Sequence, residues 1–297
     1  MNAQPEVAQV LRQIEAMLAE AGIAPGADAE LLLAHVLGES RGRVQARAIM
    51  RDTMTAADRD AAVALAEERA RRVPLQHLTG KAPFRGFELE VGPGVFVPRP
   101  ETEGVTQFAI DALLAVPTPS PVAVDLCTGS GAIAIALARE VRSAEVWAIE
   151  KSTEAHAWAR RNVDRLGEGR VRLLLGDAAD ALEILAPIVG GVHVLVSNPP
   201  YVPAGMVPND PEVRDHDPSL ALYGGADGLD LIRVISRIGG TLLAPGGLLV
   251  LEHAESQGRA IRQLLTRDGW RAAATHQDLT LRDRTTTAVS PERRVDS

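Results

Sequence analysis

Between residues 122 and 252, five short apolar runs, VAVDL, EVWAI, VRLLL, VHVLV and LLVLE, alternate with helical stretches such as AIAIALARE and TEAHAWARRNVDRL. Strands of this kind, separated by helices, confine a chain to a parallel sheet covered on both faces. The expected fold is therefore α/β, a doubly wound, Rossmann-like domain. Ligands of such sheets bind beyond the carboxyl ends of the strands, so the residues at those ends carry the functional information.

The first run reaches Asp125 and continues Leu126-Cys127-Thr128-Gly129-Ser130-Gly131-Ala132 into a helix. Gly129 and Gly131 allow a tight turn and close approach of backbone to a ligand, and the helix start offers free N–H groups. With Ala134 in the third small position, the loop fits the relaxed dinucleotide pattern. A β-α junction that merely turns tightly has the same appearance, so the loop alone is weak evidence. The second run ends at Glu150, where a carboxylate can accept bonds from both hydroxyls of a ribose. The third is followed by Gly176-Asp177-Ala178, with the acid placed for an adenine amino group. These features indicate an adenosine-containing cofactor without choosing between NAD and S-adenosylmethionine.

The fourth run leads into Ser197-Asn198-Pro199-Pro200-Tyr201. Consecutive prolines fix their own φ and bias the residue before them away from the helical region, so Asn198 is held. Taken alone, this stretch is equally well described as an ordinary turn. An acid or polar residue at the tip of each of four successive strands is not.

Upstream, Val7, Val10, Leu11, Ile14, Met17 and Leu18 recur at helical spacing. A second block, AELLLAHVLG, follows Asp28 as its expected cap and ends at Gly38; a third begins at Thr55, with Asp58 as capping partner, and runs to Pro74. Residues 1–75 are expected to form a small helical bundle, and 76–98, with alternating Phe87, Leu89 and Val91, a β-hairpin linker. Residues 99–297 are expected to form the α/β domain. Arg99, Glu101 and Glu103 fit a binding-site rim and a helix start equally well. The loop from Val202 to Pro218 is either a lid or a long connection.

The net charge of -8 argues against a general affinity for nucleic acid. The one cysteine, Cys127, excludes an internal disulfide and a cysteine-built zinc site, and the histidines lack metal-ligand spacing; no metal is expected. Cys127 is expected to be a small buried thiol rather than a nucleophile, and His253 a structural histidine. The N-terminal stretch mixes acids with its apolar residues and is not expected to be a signal peptide. No segment has the apolar length of a membrane span, and the cytoplasm is the natural compartment.

NPPY at 198–201 occurs together with PLQHLTG (74–80), the FRGFELEV hairpin, VPRPETE (97–103), DLCTGSGAIAIALA (125–138), GGADGLDLI (224–232) and LLVLEH (248–253). In these residues the chain resembles the class I S-adenosylmethionine-dependent methyltransferases that modify planar amide or exocyclic nitrogens. Within that class it resembles the peptide chain release factor glutamine N5-methyltransferases of the PrmC/HemK type. The resemblance runs from Pro74 to about Val289, and the helical N-terminus fits in kind.

The resemblance implies methyl transfer from S-adenosyl-L-methionine, leaving S-adenosyl-L-homocysteine, to the glutamine of the Gly-Gly-Gln motif in bacterial class 1 release factors. It implies an N-terminal substrate-recognition domain, no direct nucleic-acid or membrane binding, and a monomer. Carried over by position, Asp125 is a cofactor-binding residue, Cys127, Thr128, Gly129, Ser130 and Gly131 approach the methionine end of the cofactor, Glu150 binds ribose, and Asp177 and Ala178 border adenine. Asn198, Pro199, Pro200 and Tyr201 hold the glutamine; Asn198 also touches the cofactor, and Asn198, Pro199 and Tyr201 are the catalytic residues. An amide nitrogen is a poor nucleophile because its lone pair is delocalised, so the Asn198 side-chain oxygen and the Pro199 carbonyl are expected to aim it while Tyr201 packs on the planar group. No strong general base is required on this scheme, and no His or Glu candidate is evident nearby. Two positions depart from the family pattern: Cys127 stands where glycine is commonest, and Ala178 where some relatives carry a large aromatic. Glutamine methylation of a ribosomal protein, adenine N6 methylation of nucleic acid, and cofactor binding without catalysis remain alternatives.

Overall fold

Helix Val7–Glu20 buries Val7, Val10, Leu11, Ile14 and Leu18 along one stripe, as their spacing requires. The computed structural model describes residues 4–24 and 26–291; the extremities of the expected first and last segments, 1–3 and 292–297, lie outside the described residues. The chain divides into two compact units, residues 1–81 with 208–216, and residues 82–207 with 217–297.

In the first unit, Thr55 caps helix Ala56–Ala70, its hydroxyl accepting the Asp58 backbone N–H at 3.1 Å. Asp28 is not the cap of the second helix. That helix spans Ala27–Leu37 with Gly26 before it, and the Asp28 carboxylate instead accepts Arg69 Nε at 2.8 Å. A further helix, Arg41–Ile49, was not legible in the pattern because Val44 is its single buried side chain; Ser40 caps it. Leu32, Leu33, Val44, Met54, Ala62 and Ala66 complete the core. The short helix Pro211–His216 also belongs to this unit and supplies Glu212, which pairs with Arg69 and Arg72 at 2.7 Å each.

The second unit opens with a hairpin, β1 (Lys81–Phe84) and β2 (Phe87–Glu90), joined by Arg85 and Gly86. Both turn residues have positive φ, +43° and +80°, as the hairpin turns that match strand twist demand. Seven strands follow: β3 (Val122–Leu126), β4 (Glu145–Glu150), β5 (Val171–Leu175), β6 (Val192–Ser197), β7 (Leu243–Glu252), β8 (Arg271–Gln277) and β9 (Asp283–Val289). Their order is β5-β4-β3-β6-β7-β9-β8. The five runs read from sequence are all present and mutually parallel. The sheet as a whole is mixed, because β9 runs antiparallel to both β7 and β8. These last two strands, RAAATHQ and DRTTTAV, are rich in Ala, Thr and charged residues and carry no apolar run, so the periodicity did not mark them.

Side chains alternate across the sheet. On β6, Val194 and Val196 enter one core layer with Ile135 and Leu137 of helix Ala132–Glu140. Leu195 enters the other, with Ile232 and Ile235 of helix Asp230–Leu242 and Ile261 of helix Gly258–Arg267. From β3 the chain builds outward through β4 and β5 on one side, then resumes at β6 on the other, so the order reverses between β3 and β6. A crevice at such a reversal, beyond the carboxyl ends, is where doubly wound sheets hold ligands. The register pairs Leu126 with Ile149 and with Ser197, which brings the glycine loop, Glu150 and Asn198 to one edge. No helix among the described residues is long and apolar enough to cross a membrane.

Candidate active site

The glycine loop begins with strain. Cys127 has φ +62°, a left-handed conformation that costs a residue with a side chain about 1–2 kcal/mol. This explains why glycine suits the position. Gly131, at φ +86°, precedes helix Ala132–Glu140, and a Cβ there would sit 3.3 Å from Ile135 Cδ1 and 3.8 Å from the Ala159 backbone. The Ser130 carbonyl accepts Asn162 Nδ2 at 3.0 Å, and the same Asn162 amide exchanges two bonds with the Glu90 backbone. Asn162, fully buried, thus ties the loop to the hairpin. Its place on helix Thr153–Leu166, among Arg and Asp, gave no signal in the sequence.

Asp125 is fully buried. Its Oδ2 accepts Thr128 Oγ1 at 2.5 Å and the Ala134 N–H at 3.2 Å, while Oδ1 is buried without a hydrogen-bonding partner. Burial pushes the carboxyl up to about 7, against the pull of those two donors. Glu150, 8% exposed, accepts Gly129 N–H at 2.8 Å on one oxygen and Ser152 N–H at 2.7 Å on the other. Each oxygen keeps a lone pair for a further donor. Burial raises its pKa, and the backbone donors act against that rise. At the tip of β5, Asp177 accepts the Ala179 N–H at 2.9 Å and faces Lys151 Nζ at 2.7 Å, which together hold it below the usual carboxylate range. Ala178, next to it, is buried.

Ser197 Oγ donates to the Leu126 carbonyl at 2.7 Å, so the tip of β6 is fastened to the start of the glycine loop. Asn198 follows, half-buried, with Nδ2 3.4 Å from Thr102 Oγ1. Pro199 is buried and Pro200 partly so. The Tyr201 hydroxyl lies 3.5 Å from Glu252 Oε1, and its carbonyl accepts Gln257 Nε2 at 2.9 Å. The segment 224–230 closes over this backbone. A Cβ on Gly224 would stand 2.3 Å from the Pro200 carbonyl oxygen, and one on Gly228 2.1 Å from that of Tyr201. Close approach, rather than flexibility, accounts for the glycines of GGADGLD.

The expectation that no Glu lies near NPPY does not hold. Glu252, 2% exposed at the end of β7, sits beside Tyr201, and burial pushes its carboxyl up to about 7. The signal was present: LLVLE ends in an acid as the tips of β3 and β4 do, and β7 adjoins β6. Of the three residues left undecided, Arg99 pairs with Asp217 at 2.7 Å, stacks on Phe96 and acts on Tyr201 through its charge, and Glu101 acts through its charge on both Tyr201 and Glu252. Glu103 instead accepts the Arg85 N–H at 3.1 Å and braces the hairpin. His253 is structural, with Nε2 2.8 Å from Thr286 Oγ1 and Nδ1 2.8 Å from the Ala254 carbonyl. Cys127 is half-buried rather than buried as expected, yet its thiol is pushed up by the low-dielectric surroundings and by Glu150, the reverse of what a nucleophile needs.

A family model for the PrmC N-terminal domain matches residues 9–80, and one for a precorrin methyltransferase domain matches residues 104–193. The fold and the edge it builds define a doubly wound methyltransferase. A release factor glutamine methyltransferase of Streptomyces coelicolor is 48% identical over 95% of this chain and 96% of its own length. Another, of Bifidobacterium longum, is 42% identical over 96% and 99%. The chain belongs to the release factor glutamine methyltransferase family. A 4-amino-L-phenylalanine/4-methylamino-L-phenylalanine methyltransferase of Streptomyces pristinaespiralis is also similar, 40% identical over 90% of this chain and 89% of its own.

Proposed function

We propose that this chain methylates the side-chain amide nitrogen of the glutamine in the Gly-Gly-Gln motif of bacterial class 1 peptide chain release factors, using S-adenosyl-L-methionine. The observation that carries the proposal is the NPPY turn, immobilised at the tip of β6 beside the glycine loop with Asn198 still partly exposed. The named relatives support the choice of substrate.

The residues at the edge fit the cofactor. Gly129 and Gly131 form a cradle that side chains would fill or strain. Asp125 has an orphaned buried oxygen beneath that loop, and the two Glu150 oxygens suit a ribose diol. Asp177 and Ala178 border the position assigned to adenine. The cofactor supplies a methyl group carried on a sulfonium sulfur.

The protein's part is to aim the acceptor. Asn198 Oδ1 and the Pro199 carbonyl each accept one N–H of the glutamine amide, Pro200 stiffens the turn, and Tyr201 covers the planar group and excludes water. With the cofactor bound, the chemistry supplied would be transfer of its methyl group to the amide nitrogen that Asn198 and Pro199 hold, the surplus amide proton leaving to solvent from the methylated nitrogen. Holding two reactants in line is worth roughly 7–11 kcal/mol of a barrier. Residues 1–75 act in substrate recognition, 76–98 as linker and 99–297 in catalysis. A release-factor substrate places the reaction in the cytoplasm.

The test is peptide mass spectrometry of a bacterial release factor incubated with the protein and S-adenosyl-L-methionine, with Asn198→Ala alongside. A methyl group on the Gly-Gly-Gln glutamine, made about 100- to 1,000-fold more slowly by the variant while cofactor binding persists, is the expected result. Methyl appearing instead on a ribosomal protein, on adenine or on free 4-amino-L-phenylalanine would reject the substrate. Full activity of Asn198→Ala would reject the role of NPPY.

A further inference from the structure

Asn162, on helix Thr153–Leu166, is fully buried, and its amide uses every hydrogen-bonding position it has. Nδ2 donates to the Glu90 carbonyl at 2.9 Å and to the Ser130 carbonyl at 3.0 Å. Oδ1 accepts the Glu90 N–H at 2.7 Å and lies 3.5 Å from Arg165 Nη2, which also donates to the Glu88 carbonyl at 2.8 Å. These partners fix which end of the amide is which. Turned over, Asn162 would set its oxygen against two carbonyls and its own donors against an N–H and a guanidinium.

The bond to Ser130 matters because of where Ser130 stands. Gly129 and Gly131 on either side of it have φ +58° and +86°, and without side chains neither residue restricts the backbone by its own sterics. The peptide between Ser130 and Gly131 is held from both edges instead, its carbonyl by Asn162 and its N–H by the Thr128 carbonyl at 2.9 Å. The Gly129 N–H goes to Glu150 Oε2 at 2.8 Å, on the carboxylate assigned to ribose. Ala159, one turn before Asn162, leaves room for the loop, since a Cβ on Gly131 would stand 3.8 Å from the Ala159 Cα.

We infer that Asn162 is a positioning residue for the cofactor: by holding the Ser130 carbonyl it keeps the glycine loop in its binding shape, and by taking both backbone groups of Glu90 it ties that shape to the hairpin. The inference rests on the reading of the glycine loop as the cofactor cradle. Without the amide, the two glycines let this peptide rotate, and only a fraction of molecules presents the competent loop. Apparent affinity falls by that fraction, whereas turnover at saturation changes little because the bound cofactor itself then holds the loop. Trp158, four residues earlier on the same helix, provides the control. Its Nε1 donates to the Pro93 carbonyl at 3.1 Å and so fastens the segment that follows the hairpin.

The experiment compares Asn162→Asp, which retains at most one donor, Asn162→Ala, which retains none, and Trp158→Phe with the wild type, all as full-length protein. Calorimetry measures affinity for S-adenosyl-L-homocysteine, hydrogen exchange followed by NMR measures protection of the Glu90 and Gly131 N–H groups, and thermal unfolding shows whether each variant is folded. KM for S-adenosyl-L-methionine and kcat are measured with release factor. Both Asn162 variants should bind about 10- to 100-fold more weakly, the loss that follows when about 1–10% of molecules hold the competent loop. KM should rise by the same factor with kcat within about 3-fold of wild type, and Trp158→Phe should keep its affinity within about 3-fold. Saturating ligand should slow exchange at both Gly131 and Glu90 in the wild type, but at Gly131 alone in Asn162→Ala.

Wild-type affinity in Asn162→Ala would overturn the inference and leave the proposed function standing, as would an equal loss in Trp158→Phe. If neither Asn162 variant folds, exchange in the wild type decides the matter: a Glu90 N–H whose protection is unchanged by ligand overturns the inference by itself. Failure of the wild type to bind S-adenosyl-L-homocysteine would instead remove the cofactor reading on which the inference rests.

Discussion

Gly228 and Gly246 both have positive φ, +76° and +80°, yet they stand in opposite surroundings. A Cβ added to Gly246 meets nothing within 4 Å, whereas one added to Gly228 meets the Tyr201 carbonyl oxygen at 2.1 Å and Gln257 Nε2 at 2.6 Å. Gly246→Ala therefore carries only the left-handed penalty of about 1–2 kcal/mol. Gly228→Ala carries that penalty and an overlap against backbone, worth about 1–3 kcal/mol more. The Tyr201 carbonyl has to retreat by more than about 1 Å to reach an ordinary contact, and Tyr201 sits three residues from Asn198. A displacement of about 1 Å at a catalytic centre costs on the order of 100-fold in rate. Thermal unfolding and kcat with a release factor, measured for both variants, separate the two effects. Both should unfold earlier than wild type, and Gly228→Ala should also lose about two orders of magnitude in kcat while Gly246→Ala keeps the wild-type value. If Gly228→Ala matches Gly246→Ala in both measurements, segment 224–230 does not hold the NPPY turn in place.

Replacing Cys127 by Gly relieves a strain of about 1–2 kcal/mol and adds about 0.5–1 kcal/mol of chain entropy to lose, so the protein should be stabilised by no more than about 1.5 kcal/mol in urea denaturation; a loss above about 2 kcal/mol would show that the thiol is needed for packing. Asp125 and Glu252 have folded pKa values raised to about 7, so the folded state holds their protons more tightly than the unfolded chain. Their contribution to stability is complete below the ordinary carboxylate range and is lost as pH rises to about 7, on the order of 3 kcal/mol each. Glu252→Gln should accordingly narrow the gap in melting temperature of cofactor-free protein between about pH 5 and pH 8. Glu212 behaves oppositely. Burial raises it, but Asp210, Arg69 and Arg72 bring it down to about 2, so its contribution is present above the ordinary carboxylate range and disappears as pH falls toward 2. Arg69→Ala leaves Asp28 without this partner and Glu212 with Arg72 in the first unit and should cost about 2–3 kcal/mol, with Glu212 only 12% exposed but Asp28 wetter at 26%.

Strand existence was legible wherever the strand is built from an apolar run. β4, β3, β6 and β7 lie inside the sheet and are apolar on both faces, and the edge strand β5, with Arg172 exposed, still carries Val171, Leu173 and Leu174, so VAVDL and its counterparts stand out without any three-dimensional information. β8 and β9 lie at one side of the sheet, where Thr285, Thr286 and Thr287 are buried as hydroxyls with partners such as His253 and Thr275, and no apolar run announces them. The helix Arg41–Ile49 escaped for a related reason, having a single buried side chain. The tips of β3 to β6 were equally visible, because an acid or amide directly behind an apolar run has few structural explanations.

The sequence by itself determined which residues stand at the strand ends, and hence the glycine loop, Glu150, Asp177 and NPPY, because position along a strand is a local property of the chain. Which groups surround NPPY was decided only by the tertiary structure. Thr102, Glu252, Gln257 and Gly228 come from four separate segments, and sheet order together with helix packing brings them to one turn. The surroundings of a side chain depend on all of its neighbours at once, and that information exists only in the folded chain.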